Sequence, residues 1–130
     1  MSAVIDTCFF SYTSKNPEAG VAVLVQFKEI YLPVISYGEI ISGFKSGNRY
    51  EKNMREFTHF LLEQKVEVIE VDVEVARLFV EIQSDLRKIG KPIPTNDIWI
   101  AACTLKVNGT LLTCDSDFKY IKKLKFKNPD

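Results

Sequence analysis

The stretch TNDIWIAACTLKVNGTLLTCD, residues 95–115, decides the fold. Wound into a helix, its first half is apolar nearly all round, through Ile98, Trp99, Ile100, Ala101, Ala102 and Leu105. A helix of that kind is buried. Thr95 reads as its cap. Asn108-Gly109 then turns the chain, and Thr110–Thr113 follows as a short apolar strand. Two acids hold marked places in this unit: Asp97 in the first turn of the helix and Asp115 just past the strand.

Upstream of the unit, Gly90 ends a long helix that Asp72 can cap, because Val75, Phe79, Ile82, Leu86 and Ile89 step by four and three. Pro92 and Pro94 keep the link extended. Val66–Val71 sets Val66, Val68, Ile69 and Val71 against Glu67 and Glu70, a strand with one wetter side that suits a sheet edge. Met54, Phe57, Phe60 and Leu61 have helical spacing, and Gly47-Asn48 separates that helix from the one before. Ser36-x-x-Glu39 precedes Ile40, Ile41 and Phe44 and starts a helix near Ser36. Glu29–Val34 is a second strand. Pro17 with Glu18 opens a helix carrying Val21, Leu24 and Val25. Met1–Asp6, with Ala3, Val4 and Ile5, is the first strand. Downstream, a turn over Asp115–Tyr120 leads to a last strand near Leu124–Phe126. Strands alternating with helices in this way predict a parallel sheet covered on both faces, in a single domain spanning 1–130.

Composition agrees. At 130 residues with 46% apolar and 26% charged side chains, the chain can bury a core without disulfides or structural metal. Seventeen Lys and Arg balance seventeen Asp and Glu, so nucleic acid can be bound only through a local patch. Lys119, Lys122, Lys123, Lys125 and Lys127 crowd the C-terminus, while Glu63, Glu67, Glu70, Asp72 and Glu74 crowd the middle. Cys8, Cys103 and Cys114 are odd in number and form no CxxC pair, which fits a reducing cytoplasm. No apolar run approaches the roughly 20 residues of a membrane span. MSAVIDTCFF has no basic leader of a secretory signal.

The acids carry the functional reading. Asp6 ends the first strand, Glu39 sits in the first turn of the helix after the second, Asp97 in the first turn of the buried helix, and Asp115 past the fourth strand. Strand ends and the helix starts that follow them share one edge of an open α/β sheet, where ligands bind. Carboxylates gathered there repel one another and need a cation to stay ionised together. An all-oxygen set selects Mg²⁺ or Mn²⁺, the apparatus of metal-assisted phosphodiester hydrolysis. Each acid also has a bland reading. Glu39 can complete a capping box with Ser36, Asp97 can favour a helix dipole, and Asp115 and Asp117 can form a turn. Asp6 is the hardest to dismiss, because an acid after a buried strand is costly without a partner. Asp117, beside Phe118, reads as the better cap for the turn that follows.

Asp6-Thr7 after Ala-Val-Ile, Ser36-x-x-Glu39-Ile40, Gly90-Lys-Pro-Ile-Pro-Thr-Asn-Asp97 and Leu111-Leu-Thr-Cys-Asp-Ser-Asp-Phe118 together resemble a PIN domain, and more narrowly the VapC-type ribonuclease toxins of toxin–antitoxin pairs. The resemblance covers nearly the whole chain. It implies a three-layer α/β/α sandwich with a central parallel sheet of four to five strands, Mg²⁺ or Mn²⁺ as cofactor, and single-stranded or looped RNA as substrate. It also implies a homodimer and a cognate antitoxin. By position, Asp6, Glu39, Asp97 and Asp115 would be the metal-binding catalytic carboxylates. Thr7 would orient one of them, and Asp117 would share the metal. One position departs: the family commonly has Asn where this chain has Cys8, and a thiol is a poor partner for a carboxylate or a hard metal. No histidine serves as base, since His59 falls on a helix away from the acids. Lys15, Lys45 and Arg49 near the crevice edge, with the Lys119–Lys127 cluster, are the candidates for holding RNA. Three other readings stay open: an acidic-pocket Mg²⁺ module like a receiver domain, a PIN domain that no longer cuts and only holds a partner, and a PIN nuclease of RNA processing. The first lacks the Lys that receiver domains place after a late strand, where Cys114-Asp115 stands.

Overall fold

In the computed structural model, which describes residues 1–129, the elements follow in the order β1 (Ser2–Ile5), α1 (Thr7–Lys15), α2 (Pro17–Leu24), β2 (Glu29–Pro33), α3 (Val34–Ser46), α4 (Tyr50–Glu63), β3 (Val66–Ile69), α5 (Val73–Lys88), α6 (Thr95–Lys106), β4 (Thr110–Leu112), a 3₁₀ turn (Ser116–Tyr120) and β5 (Lys125–Lys127). Among the described residues the strands form one five-stranded sheet in the order β3-β2-β1-β4-β5. Every pairing is parallel, with Val4 beside Tyr31 on one side and Leu111 on the other. All the strands therefore end on one edge.

Period-2 alternation sorts the strand residues between two cores. Ala3, Ile5, Ile30, Leu32 and Leu112 face α1–α4, where Phe9 and Phe57 are fully buried and Phe10 packs edge-on against Phe57 and Phe60. Val4 and Leu111 face α5 and α6, with Ile82, Leu86, Ile100 and Phe118. The expected covering of both faces is present. So is the edge position of the Val66 strand. Asp72 caps α5 by accepting from the Val75 N–H at 2.9 Å, and Gly90 follows the end of that helix with φ +66.

Four local expectations are corrected. The residue pattern places the first helix at Pro17, yet α1 starts directly after Asp6. TCFFSYTSK is rich in aromatic and hydroxyl residues, which are poor helix formers, so it gave no helical signal. Burial of Phe9, Phe10 and Thr13, and the cap from Asp6, override that weakness. α3 begins at Val34, so the Ser36–Glu39 capping box does not form: Ser36 is buried with no hydrogen-bond partner, and Glu39 lies in the second turn. Thr95 is the first residue of α6 and not its cap, which falls on Pro94. The last strand runs one residue later than expected.

Candidate active site

Asp6 follows β1 directly and is only 6% exposed. Its Oδ1 accepts from the Phe9 N–H at 2.8 Å, so the side chain that faces the sheet edge also caps α1. The buried Thr113 hydroxyl hydrogen-bonds the same carboxylate. Burial raises the Asp6 pKa, the Thr113 and Phe9 bonds oppose that rise, and the negative charges of Glu39 and Asp115 add to it.

Glu39 reaches the same edge from α3. Thr7 Oγ1 donates to its Oε1 at 2.7 Å, and Asn96 Nδ2 donates to its Oε2 at 3.1 Å. These two bonds tie the start of α1, the body of α3 and the start of α6 together through one carboxylate. Thr7 therefore does hold one of the acids.

Asp97, in the first turn of α6, has the most perturbed carboxyl of the group. Burial first, then the charges of Asp115, Glu39, Asp6 and Asp117, push its pKa up to about 6. All five acids singled out in the sequence thus share one electrostatic environment. Asp115 follows β4 at the same edge. Its N–H donates to Thr113 Oγ1 at 3.1 Å, and its Oδ1 accepts from the Asp117 N–H at 2.8 Å. Asp115, and not Asp117, caps the 3₁₀ turn. Asp117 is exposed and lies further out.

Two contributors went unassigned in the sequence. Asn96 and Thr113 both lie inside the quoted motifs, but an amide and a hydroxyl beside an acid are too common to stand out. Thr113 is the joint of the site: its hydroxyl serves Asp6 and Asp115 at once, and its carbonyl is held by Asn128 Nδ2 at 2.7 Å.

Among the described residues, no hydrogen bond or ion pair links Lys15, Lys45 or Arg49 to the acids. Lys15 ends α1, about 12 Å along the axis from Thr7. It lines a separate cavity of about 510 Å³ with Phe10, Phe44 and Phe60. Lys45 lies near the end of α3, its Nζ 4.1 Å from the centre of the Tyr50 ring, and Arg49 precedes α4. His59 is exposed on α4 and pairs with Glu63 at 2.6 Å. Cys8 is exposed in the first turn of α1.

The donor chemistry fits a hard divalent cation. The converging groups are carboxylate oxygens, and burial first, then the neighbouring negative charges, raise the Asp97 carboxyl. Among the described residues, no three His, Cys, Asp or Glu side chains stand close enough together to hold a metal ion.

Comparison with known proteins places the chain. The profile of the PIN domain family matches residues 3–124. Ribonuclease VapC1 of Haemophilus influenzae (strain R2866) is 28% identical over 133 residues, covering 98% of each chain. The crystal structure of VapBC2 from Rickettsia felis, bound to a DNA fragment from their promoter, contains a chain 25% identical with a TM-score of 0.88, covering 98% of both. A chain of VapBC-1 from nontypeable Haemophilus influenzae is 28% identical, with a TM-score of 0.87 over 99% of this chain and 98% of that one. The protein belongs to the PIN domain family.

Proposed function

We propose that this PIN-domain chain is an Mg²⁺- or Mn²⁺-dependent endoribonuclease and the toxin of a toxin–antitoxin pair. The observation that carries the reading is the convergence of Asp6, Glu39, Asp97 and Asp115 at the edge where all five strands end, with Asp97 raised to about 6 by burial and by its acidic neighbours. The toxin role rests on the ribonuclease and the VapBC complexes that the chain resembles over nearly its whole length. Asp6, Glu39, Asp97 and Asp115 would hold the cation, with Asp117 within reach of it. A bound divalent cation supplies charge stabilisation at a phosphodiester and lowers the pKa of water.

The chain's own residues do the positioning. Thr7 and Asn96 hold both oxygens of Glu39, so this carboxylate reaches the edge in one orientation. Phe9 N–H and Thr113 hold Asp6 and favour its ionised form against burial. Among the described residues Asp97 has no such bond, and burial and the neighbouring acids raise its carboxyl to about 6. No side chain at the edge offers an imidazole base, which leaves water activation to the carboxylate site. Lys15 at the end of α1, Lys45 near the end of α3 and Arg49 at the start of α4 would hold the RNA strand. The partners of the reading are RNA, a cognate antitoxin and a second copy of the chain, in the cytoplasm. No helix among the described residues is long and apolar enough to cross a membrane.

The test is cleavage of a labelled single-stranded RNA by purified protein. Cleavage is expected in Mg²⁺, lost in EDTA and restored by excess Mg²⁺. Full activity in EDTA sinks the metal-dependent mechanism, and co-expression with the product of the adjoining gene tests the toxin role by relief of growth arrest.

A further inference from the structure

Lys91 and Lys119 both stand over the ring of Tyr120, with their Nζ atoms 5.2 and 5.3 Å from its centre. They come from the two segments that carry site acids. Lys91 lies in the link between α5 and α6 that runs into Asp97, and Lys119 lies in the 3₁₀ turn that Asp115 caps. α5 and α6 run antiparallel, because Lys106 at the end of α6 pairs with Asp72 at the start of α5. The end of α5 therefore returns to the edge from which α6 departs, and Tyr120 meets it there.

Tyr120 also walls a cavity of about 310 Å³ between the last turns of α5 and the segment Tyr120–Lys123. Ile82, Leu86 and Ile121 give it an apolar floor, and Lys88 and Lys122 stand on its rim. Around the cavity and the ring are five lysines, Lys88, Lys91, Lys119, Lys122 and Lys123, against three acids, Asp85, Glu81 and the Asp117 of the same 3₁₀ turn. Glu81 is already paired with Lys123 at 3.8 Å. In a chain with no net charge, this is a local excess of two positive charges, five minus three.

We propose that this cavity and the lysine-flanked Tyr120 bind one nucleotide of single-stranded RNA beside the acid edge. The base lies against the apolar floor and the Tyr120 wall, and the phosphate is taken by Lys91 and Lys119. An aromatic and apolar seat with cations along the backbone path is how single strands are held without sequence readout. Five residues of 3₁₀ turn place Tyr120 about 10 Å from Asp115, a few nucleotides at most along a bound strand. The inference rests on the ribonuclease reading and names where the strand is gripped outside the carboxylates.

The experiment is anisotropy of a short, mixed-sequence, fluorescein-labelled single-stranded RNA titrated with the full chain in EDTA, where no cleavage is expected. Titrations run between about 50 and 200 mM salt. The double variant Lys91→Gln, Lys119→Gln alters two exposed side chains and should keep the wild-type melting temperature. Its plot of log K against log salt should be shallower by about 1. Tyr120→Ala should bind about tenfold more weakly at fixed salt with the slope unchanged. Wild-type slope and affinity in the lysine variant overturn the proposal, as does an absence of RNA binding by the wild type. The ribonuclease reading is judged separately, by wild-type cleavage in Mg²⁺. If cleavage fails while the lysine variant changes the slope, the seat stands and the nuclease reading falls.

Discussion

Two aspartates open the two helices that pack together on one face of the sheet, and their surroundings differ in sign. Asp72 caps α5, accepts from the Val75 N–H and pairs with Lys106. The hydrogen bond from Lys106, then the one from Val75, hold its carboxyl below the usual range. Asp97 sits in the first turn of α6, an equally favourable place relative to a helix dipole, yet burial and four neighbouring acids raise its pKa to about 6. A carboxylate placed for stability is supplied with donors and a counter-ion. One placed among its own kind destabilises the fold that holds it, and such arrangements cluster at functional sites.

The largest effect expected from this difference is on catalysis. Asp97→Asn preserves shape and removes one negative charge from the edge. RNA cleavage should fall by orders of magnitude, while the metal-free protein melts at a temperature equal to or above that of the wild type. A clear drop in metal-free melting temperature would make Asp97 a second Asp72, a structural residue of its helix.

Next in size are the groups that hold the acids. Asn96→Ala frees one oxygen of Glu39, and Thr113→Val removes the hydroxyl shared by Asp6 and Asp115 with little change of volume. Losing an outer partner of a metal ligand typically costs about 10- to 100-fold in affinity or activity. We expect a loss of that order in cleavage, with a matching rise in the Mg²⁺ concentration needed for half activity. Wild-type Mg²⁺ dependence in both variants would show that the acids position themselves.

The fold was legible where period and punctuation agreed. Ile98–Leu105 could only be a buried helix, and the Val66 strand announced its edge position through Glu67 and Glu70. The four principal acids were legible because strand ends in a parallel sheet share an edge. The start of α1 was not, because its helix is imposed by the packing of Phe9 and Phe10 and by an acid read as functional alone. Ser36-x-x-Glu39 misled for a related reason. A capping box and a helix that begins two residues earlier leave the same letters in sequence, and only the pull of Thr7 and Asn96 on Glu39 separates them. Thr113 and Asn96 were hidden because a donor matters only through the acid it faces, and sequence distance conceals which one that is.

Asp115 and Asp117 give the next, smaller effect. Its place beside Phe118 makes Asp117 the expected cap of the 3₁₀ turn, but Asp115 Oδ1 accepts from the Asp117 N–H. Loss of a cap costs about 1 kcal/mol. That cost should appear in Asp115→Ala and be absent from Asp117→Ala and from Asp115→Asn, since Asn caps as well as Asp. Chemical denaturation of the three variants decides the point, and a larger loss in Asp117→Ala would return the cap to Asp117.

The smallest effect is a pH profile that sets the two aspartates directly against each other. Asp97 has a folded pKa of about 6, above its ordinary value of 3.8. Between those two values the folded chain binds more protons than the unfolded one, so stability falls as pH rises through that window. Metal-free wild type should therefore melt at a higher temperature near pH 5 than near pH 7. Asp97→Asn should remove most of that gain, because the remaining acids lose the neighbour they repel. Asp72 works the other way. Its carboxyl is held below 3.8, so its contribution is present above that pH and fades only as pH falls further. Asp72→Asn keeps a good cap and loses the pairing with Lys106, so it should lower melting slightly at both pH 5 and pH 7 and leave the rise on acidification intact. It should also leave RNA cleavage unchanged. Excess Mg²⁺ should flatten the wild-type profile by supplying the missing charge, and should do nothing to the difference between Asp72→Asn and wild type. A rise on acidification that survives in Asp97→Asn but vanishes in Asp72→Asn would reverse the roles of the two residues.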